Sequence, residues 1–540
     1  MVHGFMPGPG GGLLVCLHRQ PRPSPALLIS SALGVTFTEP RYLMTLLARV
    51  AADAGYTVVQ YDHPAEGDSA GLPGKATAAD LLEAGEDMAR FAHSLSDGRV
   101  VAVGYGAGNA VVTSLLESRG VDRAALIGPS LRAWTHADWP GLCPAGDDGL
   151  VAPPVTADGT ELGDVWRAVY GEPVVPSQPP GPIHPAVLRS LSSMNPADTL
   201  RGRDRDVLII SDLPGDLETA AGDGVLLRHS PTADQPSWHW NMSCRQQVLD
   251  SIIHWLDQDT TGGRSVTTGQ PRQAVTLPQP SDGTYQEAVH VRVAGEDVRG
   301  ILRSAPGANG AGRVCVIYET GNPGQRVDIH RCAPVAAAML ASHGISSFRY
   351  DPRGMGSSSG AYHEMTWSRR AEDLRAVIKM LAGRGFTSLV ILGNSAGART
   401  ALSVAETDPR ISGLVLWGPI LSESDDPPNH PTLVRVPGGL ATEWCGLPLG
   451  LSYQRDVRGL DYLAKLRMDR TPTCIVFADD EPDKDNQRAV LEAVHHRHEV
   501  TVRTSPGQHG FSWTGLRDAL GLTMDWINEL TAANADTSVM

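Results

Sequence analysis

Several familiar features are missing from this chain of 540 residues. Cysteine is sparse and unpaired. There are seven, an odd number, and no CxxC pair occurs. That argues against a disulfide framework and for reduced thiols in a reducing compartment. Cys16, Cys315 and Cys474 sit in apolar, strand-like runs, where a thiol acts as a small hydrophobe. Lys and Arg do not cluster on any one element, and the net charge is −15, so nucleic acid is not an expected partner. No run approaches the roughly 18 apolar residues of a membrane span. The start, MVHGFMPGPGGGLL, lacks the basic stretch and apolar run of an export signal. Together these point to the cytoplasm. No Walker loop appears, and no cofactor or metal is expected.

What is present is ordinary for a soluble globular protein: 41% hydrophobic and 19% charged residues, in a length sufficient for two full domains. Self-similarity is the more informative signal. YDHPAEGDSAG at 61–71 aligns with YDPRGMGSSSG at 350–360, an offset of 289. The same offset carries Gly55 onto Gly344 and GYGAG at 104–108 onto GNSAG at 393–397. Gly128-Pro129 matches Gly418-Pro419 one residue further on. Two copies of one fold are therefore expected, residues 1–257 and 285–540. A linker at 258–284, rich in Gly, Pro, Thr and Gln, joins them with some extended character.

Apolar runs in the second copy alternate with helical patterns. A hairpin is expected from 289–293 and 299–304. Strands follow at 314–318, 346–351, 388–393, 413–418, 473–478 and 499–504. Helices are expected at 333–344, 369–385, 396–407 and 522–530. This alternation implies an α/β fold with a mostly parallel sheet and helices on both faces. Segments 421–471 and 131–205 have the length of cap inserts. Leu449, Leu451, Tyr453, Leu460 and Tyr462 would give either an apolar lid or simple helix packing.

GxSxG places a serine on the sharp turn between a strand and a helix. Three matches occur, at Ser69, Ser358 and Ser395. Only Ser395 follows an apolar strand closely and precedes a helix of small residues. Ser69 and Ser358 belong to loops, where Gly and Ser form turns. A serine hydroxyl needs a base. Among His330, His343, His495, His496, His498 and His509, only His509 lies in a Gly-rich loop between the last strand and last helix, where the chain order Ser, acid, His requires it. The acid falls within DDEPD, with Asp480 and Glu481 joint candidates and Asp483 a third. A loop of the common Gly-x-x-Asp-Pro form would favour Glu481. Backbone N–H groups of Ala396 and Gly321, with Asn322 close behind, would form an oxyanion hole. In the first copy Gly106 stands where the second has Ser395, so no acyl-enzyme can form there. Asp212 and His239 lie near the acid and base positions and read as relics or packing residues.

GNSAG, the RYDPRGMGSSSG loop and the late His509 resemble the α/β-hydrolase superfamily over nearly the whole second copy. TGNPGQRVDIHR looks most like bacterial exosortase-system-associated hydrolases, with Asp328 where those carry Gly; the first copy is similar to their companion hydrolase. The resemblance implies two tandem α/β-hydrolase domains and a serine hydrolase of ester or thioester bonds. The substrate would be a small-molecule or carrier-bound acyl group, with the first copy contacting the second. Acyl transfer or cyclisation by the same residues, and a silent binding scaffold, are the competing readings. A homo-oligomer is left open.

Overall fold

The computed structural model describes residues 1–31, 38–71, 76–106, 108–128, 207–211, 225–229, 242–257, 274–276, 285–305, 314–328, 331–422, 433–437, 439–444, 447–458, 460–511 and 515–537. The chain divides into two compact units, 1–278 and 279–540.

In the N-terminal unit, β1 (Val2–Gly8) and β2 (Gly11–His18) form an antiparallel hairpin. Then come β3 (Ala26–Ser30), α1 (Thr38–Asp53), β4 (Thr57–Tyr61), α2 (Ala78–Leu95), β5 (Val100–Tyr105), α3 (Gly108–Glu117), β6 (Arg123–Ile127), β7 (Val207–Ser211), β8 (Val225–His229) and α4 (Met242–Leu256). The strand order is β1-β2-β4-β3-β5-β6-β7-β8, parallel from β4 onward. Alternate residues of a strand face opposite sides of the sheet. Leu28 of β3 accordingly joins a core with Met88 of α2 and Leu115 of α3, while Leu27 and Ile29 join one with Leu47 of α1 and Ile252 of α4.

A three-residue strand, β9 (Ala274–Thr276), lies in the segment expected to be a linker. The C-terminal unit opens with β10 (Tyr285–Val293) and β11 (Glu296–Ser304), an antiparallel hairpin. Ala294 (φ 48°) and Gly295 (φ 88°) give its two-residue turn the double positive φ that matches strand twist. There follow β12 (Val314–Glu319), α5 (Cys332–Ser342), β13 (Ser346–Asp351), α6 (Trp367–Gly383), β14 (Ser388–Asn394), α7 (Gly397–Ala405) and β15 (Ile411–Trp417). An insert holds β16 (Leu433–Val436), β17 (Gly439–Trp444), β18 (Leu447–Gly450), α8 (Leu451–Arg458) and α9 (Tyr462–Met468). The unit closes with β19 (Thr473–Asp480), α10 (Lys484–Val494), β20 (Val500–Gln508) and α11 (Leu516–Thr537). From β10 the order is β10-β11-β13-β12-β14-β15-β19-β20, the order of the first unit. Both units have the α/β-hydrolase architecture.

Two expectations need adjustment. The last helix spans Leu516–Thr537, not 522–530. In the 421–471 insert, β16, β17 and β18 form a separate antiparallel sheet. Within the insert Leu449, Tyr453 and Tyr462 are buried, with Tyr453 5.8 Å from the Trp367 ring on α6, while Leu433 and Leu440 are exposed. The first copy's insert, 131–205, lies outside the described residues.

Candidate active site

The site is built on the turn from β14 to α7. Ser395 adopts φ 54°, the left-handed region that costs a non-glycine residue energy, and donates its N–H to Trp417 O at 2.8 Å. The flanking glycines are sterically required. A Cβ on Gly393 would come 2.9 Å from the Ala398 backbone, and one on Gly397 would come 2.3 Å from Glu319 O. The turn therefore presents the hydroxyl because strand, turn and helix are packed too closely for side chains on either side.

His509 follows β20 and brings Nε2 to 3.0 Å from Ser395 Oγ. Its other nitrogen, Nδ1, lies 2.6 Å from Glu481 Oε2. With Nδ1–H donating to the carboxylate, Nε2 keeps the lone pair that faces the hydroxyl. Glu481 is buried at 5% exposure, and its Oε1 accepts the Ala478 N–H at 3.1 Å. Gly418 (φ 47°) makes room for this pair: a Cβ there would sit 2.8 Å from Glu481 Oε1 and 2.9 Å from His509 Nδ1. The sequence marked Gly418 only as a point of internal similarity. The His509 loop is fixed beyond the site by Phe511, fully buried and edge-on to Trp417 at 5.6 Å.

Of the two joint acid candidates, the structure brings only Glu481 to the imidazole. Asp480 ends β19 exposed to solvent and makes no hydrogen bond to His509, which corrects the expectation that it could serve. Asp483 caps α10 instead, accepting the Asn486 N–H at 2.9 Å. His343, His495, His496 and His498 are exposed, and His330 lies outside the described residues.

Gly321 and Ala396 flank the serine. A Cβ on Gly321 would lie 3.4 Å from Ser395 Cβ, and Ala396 leads into the N-terminal end of α7. Among the described residues neither N–H donates to a protein acceptor. Two free donors beside one hydroxyl can receive an oxyanion. Asn322 turns its side chain elsewhere, accepting from Tyr362 OH at 2.9 Å. Asp328 takes φ 53°, a conformation that glycine adopts freely and Asp tolerates. It accepts from Tyr318 OH at 2.8 Å and from Asn394 Nδ2 at 3.0 Å, beneath the elbow.

The other two GxSxG serines are wholly buried ties. Ser358 Oγ accepts the Arg299 N–H at 2.8 Å and donates to Asp351 O at 2.6 Å. Ser69 does the same with Leu14 N–H and Asp62 O, at 2.8 and 2.6 Å. Each joins the hairpin to its neighbouring strand. In the N-terminal unit the elbow itself persists. Gly106 has φ 54°, and a Cβ on Gly108 would lie 2.3 Å from Ser30 O. It carries no side chain to react. Asp212 and His239 lie outside the described residues. Among the described residues no cluster of His, Cys, Asp or Glu is arranged to hold a metal, and no helix is long and apolar enough to cross a membrane.

Residues 324–450, which include Ser395, match the family model of the serine aminopeptidases, S33. No curated protein sequence matches the chain. Among solved structures, the chain is similar to ferulic-acid-bound Est1E from Butyrivibrio proteoclasticus, at 20% identity over 45% of this chain and 100% of that one, TM-score 0.39. It is also similar to the α/β hydrolase GrgF from Penicillium sp. sh18, at 17% identity over 46% and 99%, TM-score 0.37. A third is the thioesterase domain from the curacin biosynthetic pathway, at 16% identity over 44% and 99%, TM-score 0.34. The C-terminal unit thus carries, over 324–450, the sequence pattern of a hydrolase family on the α/β-hydrolase strand order.

Proposed function

We propose that the C-terminal unit is a serine hydrolase that cleaves an ester or thioester through an acyl-enzyme on Ser395. The observation that carries this is the unbroken relay from Ser395 Oγ to His509 Nε2 at 3.0 Å and from His509 Nδ1 to Glu481 at 2.6 Å. His509 takes the hydroxyl proton as Ser395 attacks the carbonyl, and Glu481 stabilises the resulting imidazolium. Gly321 and Ala396 donate to the oxygen that becomes negative. His509 then protonates the leaving group. Water repeats the sequence in reverse and frees the acid. No cofactor takes part in this scheme.

An acyl acceptor other than water would make the same residues a transferase or cyclase. The matched family is named for aminopeptidases, and an amide would be cleaved by the same steps. The acyl group would come from a small-molecule or carrier-bound substrate. We also propose that the units arose by duplication, with the boundary in the 258–284 segment, and that the N-terminal copy is silent. The shared strand order and the shared Ser69 and Ser358 ties support it.

The test is reaction with a fluorophosphonate probe. Labelling of the intact chain that disappears in Ser395→Ala is expected. An unlabelled intact chain would favour a binding scaffold.

A further inference from the structure

The loop after β12 is gripped by one buried cation. Arg370, on α6 and 2% exposed, donates through Nη2 to Thr320 O at 2.5 Å and through Nη1 to Gly321 O at 2.9 Å. Through Nε and Nη2 it also reaches Glu319 Oε1, at 3.0 and 2.5 Å. The other Glu319 oxygen accepts Tyr350 OH. In a trans peptide the C=O and N–H point in opposite directions. Turning the carbonyls of Thr320 and Gly321 toward Arg370 therefore turns the N–H groups of Gly321 and Asn322 away from it. Gly321 is the residue whose backbone lies against Ser395.

We infer that Arg370, anchored by Glu319, is a positioning residue that holds the Thr320–Gly321 peptide so that the Gly321 N–H meets the oxyanion formed at Ser395. This rests on the nucleophile proposed above. Burial opposes the Arg370 charge, but the Glu319 carboxylate outweighs it and holds the guanidinium pKa above its ordinary value.

The N-terminal unit is an internal control. At the common offset, Ser395 corresponds to Gly106, Arg370 to Leu81 and Glu319 to Ser30. Leu81 is an ordinary core residue. Framework residues at the same offset are kept: Tyr61 and Tyr350, Asp62 and Asp351, Ser69 and Ser358. Thr77 and Thr366 are kept too, each capping its helix by accepting the N–H three residues on. A buried ion pair carries a desolvation penalty that is large against the marginal stability of a small domain. The fold forms without it in one unit. The pair is present where the nucleophile is present and absent where it is absent.

The test exchanges the pair for the N-terminal unit's own residues, as the double variant Glu319→Ser with Arg370→Leu, which leaves no orphaned buried charge. Activity on a p-nitrophenyl ester should fall about 100-fold in kcat, the loss typical of one oxyanion donor, with KM little changed. A crystal structure of the variant should show the Thr320–Gly321 peptide rotated away from Ser395. Arg370→Lys, which supplies charge without the fork, should recover only part of kcat. A folded double variant with wild-type kcat, or with that peptide unmoved, overturns the inference. Failure of the unmodified chain to react with fluorophosphonate sinks the nucleophile instead, and the peptide's orientation in the variant still judges the clamp.

Discussion

The chain leaves β19 at Asp480, and its bend there separates two adjacent carboxylates. Asp480 faces solvent, whereas Glu481 is tucked beside Gly418 and held by the Ala478 N–H. Glu481→Gln should keep the fold yet lower kcat on the order of 10³- to 10⁴-fold, since the amide favours the wrong imidazole tautomer. Asp480→Asn should leave kcat near wild type. Steady-state kinetics on both variants decide the assignment, and the reverse pattern would reject it. Ser358 gives the complementary case. Its hydroxyl satisfies a buried N–H and a buried C=O. Ser358→Ala should therefore destabilise by about 1–3 kcal/mol, seen as a lower Tm, while fluorophosphonate labelling persists. Loss of labelling in a folded Ser358→Ala protein would contradict its structural role. The approach of His509 to Ser395 was readable from motif and chain order because strand, turn and helix leave a strict pattern. The acid was not, because DDEPD offers adjacent carboxylates and only the chain's bend after β19 selects among them.

At the scale of elements, strands with long apolar runs were legible almost to the residue, as with Val314–Glu319, expected at 314–318. The insert's sheet was not. Its strands are four to six residues long and interrupted by Pro437, Gly438, Pro448 and Gly450, so no period of two develops. The turns of α11 before residue 522 were hidden by Gly521, which reads as a helix break yet has open space around it. One junction between elements carries a pH prediction. His63 follows β4 and is buried, with Nε2 at 3.1 Å from both Ser30 Oγ and Ser31 O at the end of β3. Burial pushes its pKa down to about 4, against the pull of the Ser31 carbonyl and Asp62. The ordinary value is 6.5, so between that and about 4 the unfolded chain binds more protons and stability falls as pH drops. The contribution amounts to about 3 kcal/mol across the window. His63→Gln keeps a neutral donor at the same reach and removes the titration. Its Tm should depend less on pH between 7 and 4.5 than that of the wild type. An unchanged pH dependence would show that His63 is not the group responsible.

At the scale of the whole molecule, the proposed duplication rests on a fixed offset of short motifs, and the matching strand orders support it. What the motifs could not reveal is how much of the C-terminal unit's arrangement the first unit shares. Its elbow is intact: Gly106 and Ser395 share φ 54°, and Gly104 and Gly108 are as crowded as Gly393 and Gly397. Restoring a hydroxyl would therefore put it on the right turn. The oxyanion loop is another matter, because Leu81 and Ser30 supply neither the guanidinium nor its anchoring carboxylate. Intact-mass analysis after fluorophosphonate treatment should find one adduct per chain, on Ser395. Gly106→Ser introduced into a Ser395→Ala background should stay unlabelled, because a nucleophile without a held oxyanion donor gains little from its geometry. An adduct at position 106 would mean that the first unit lacks nothing but the hydroxyl, and that its silence is one substitution deep.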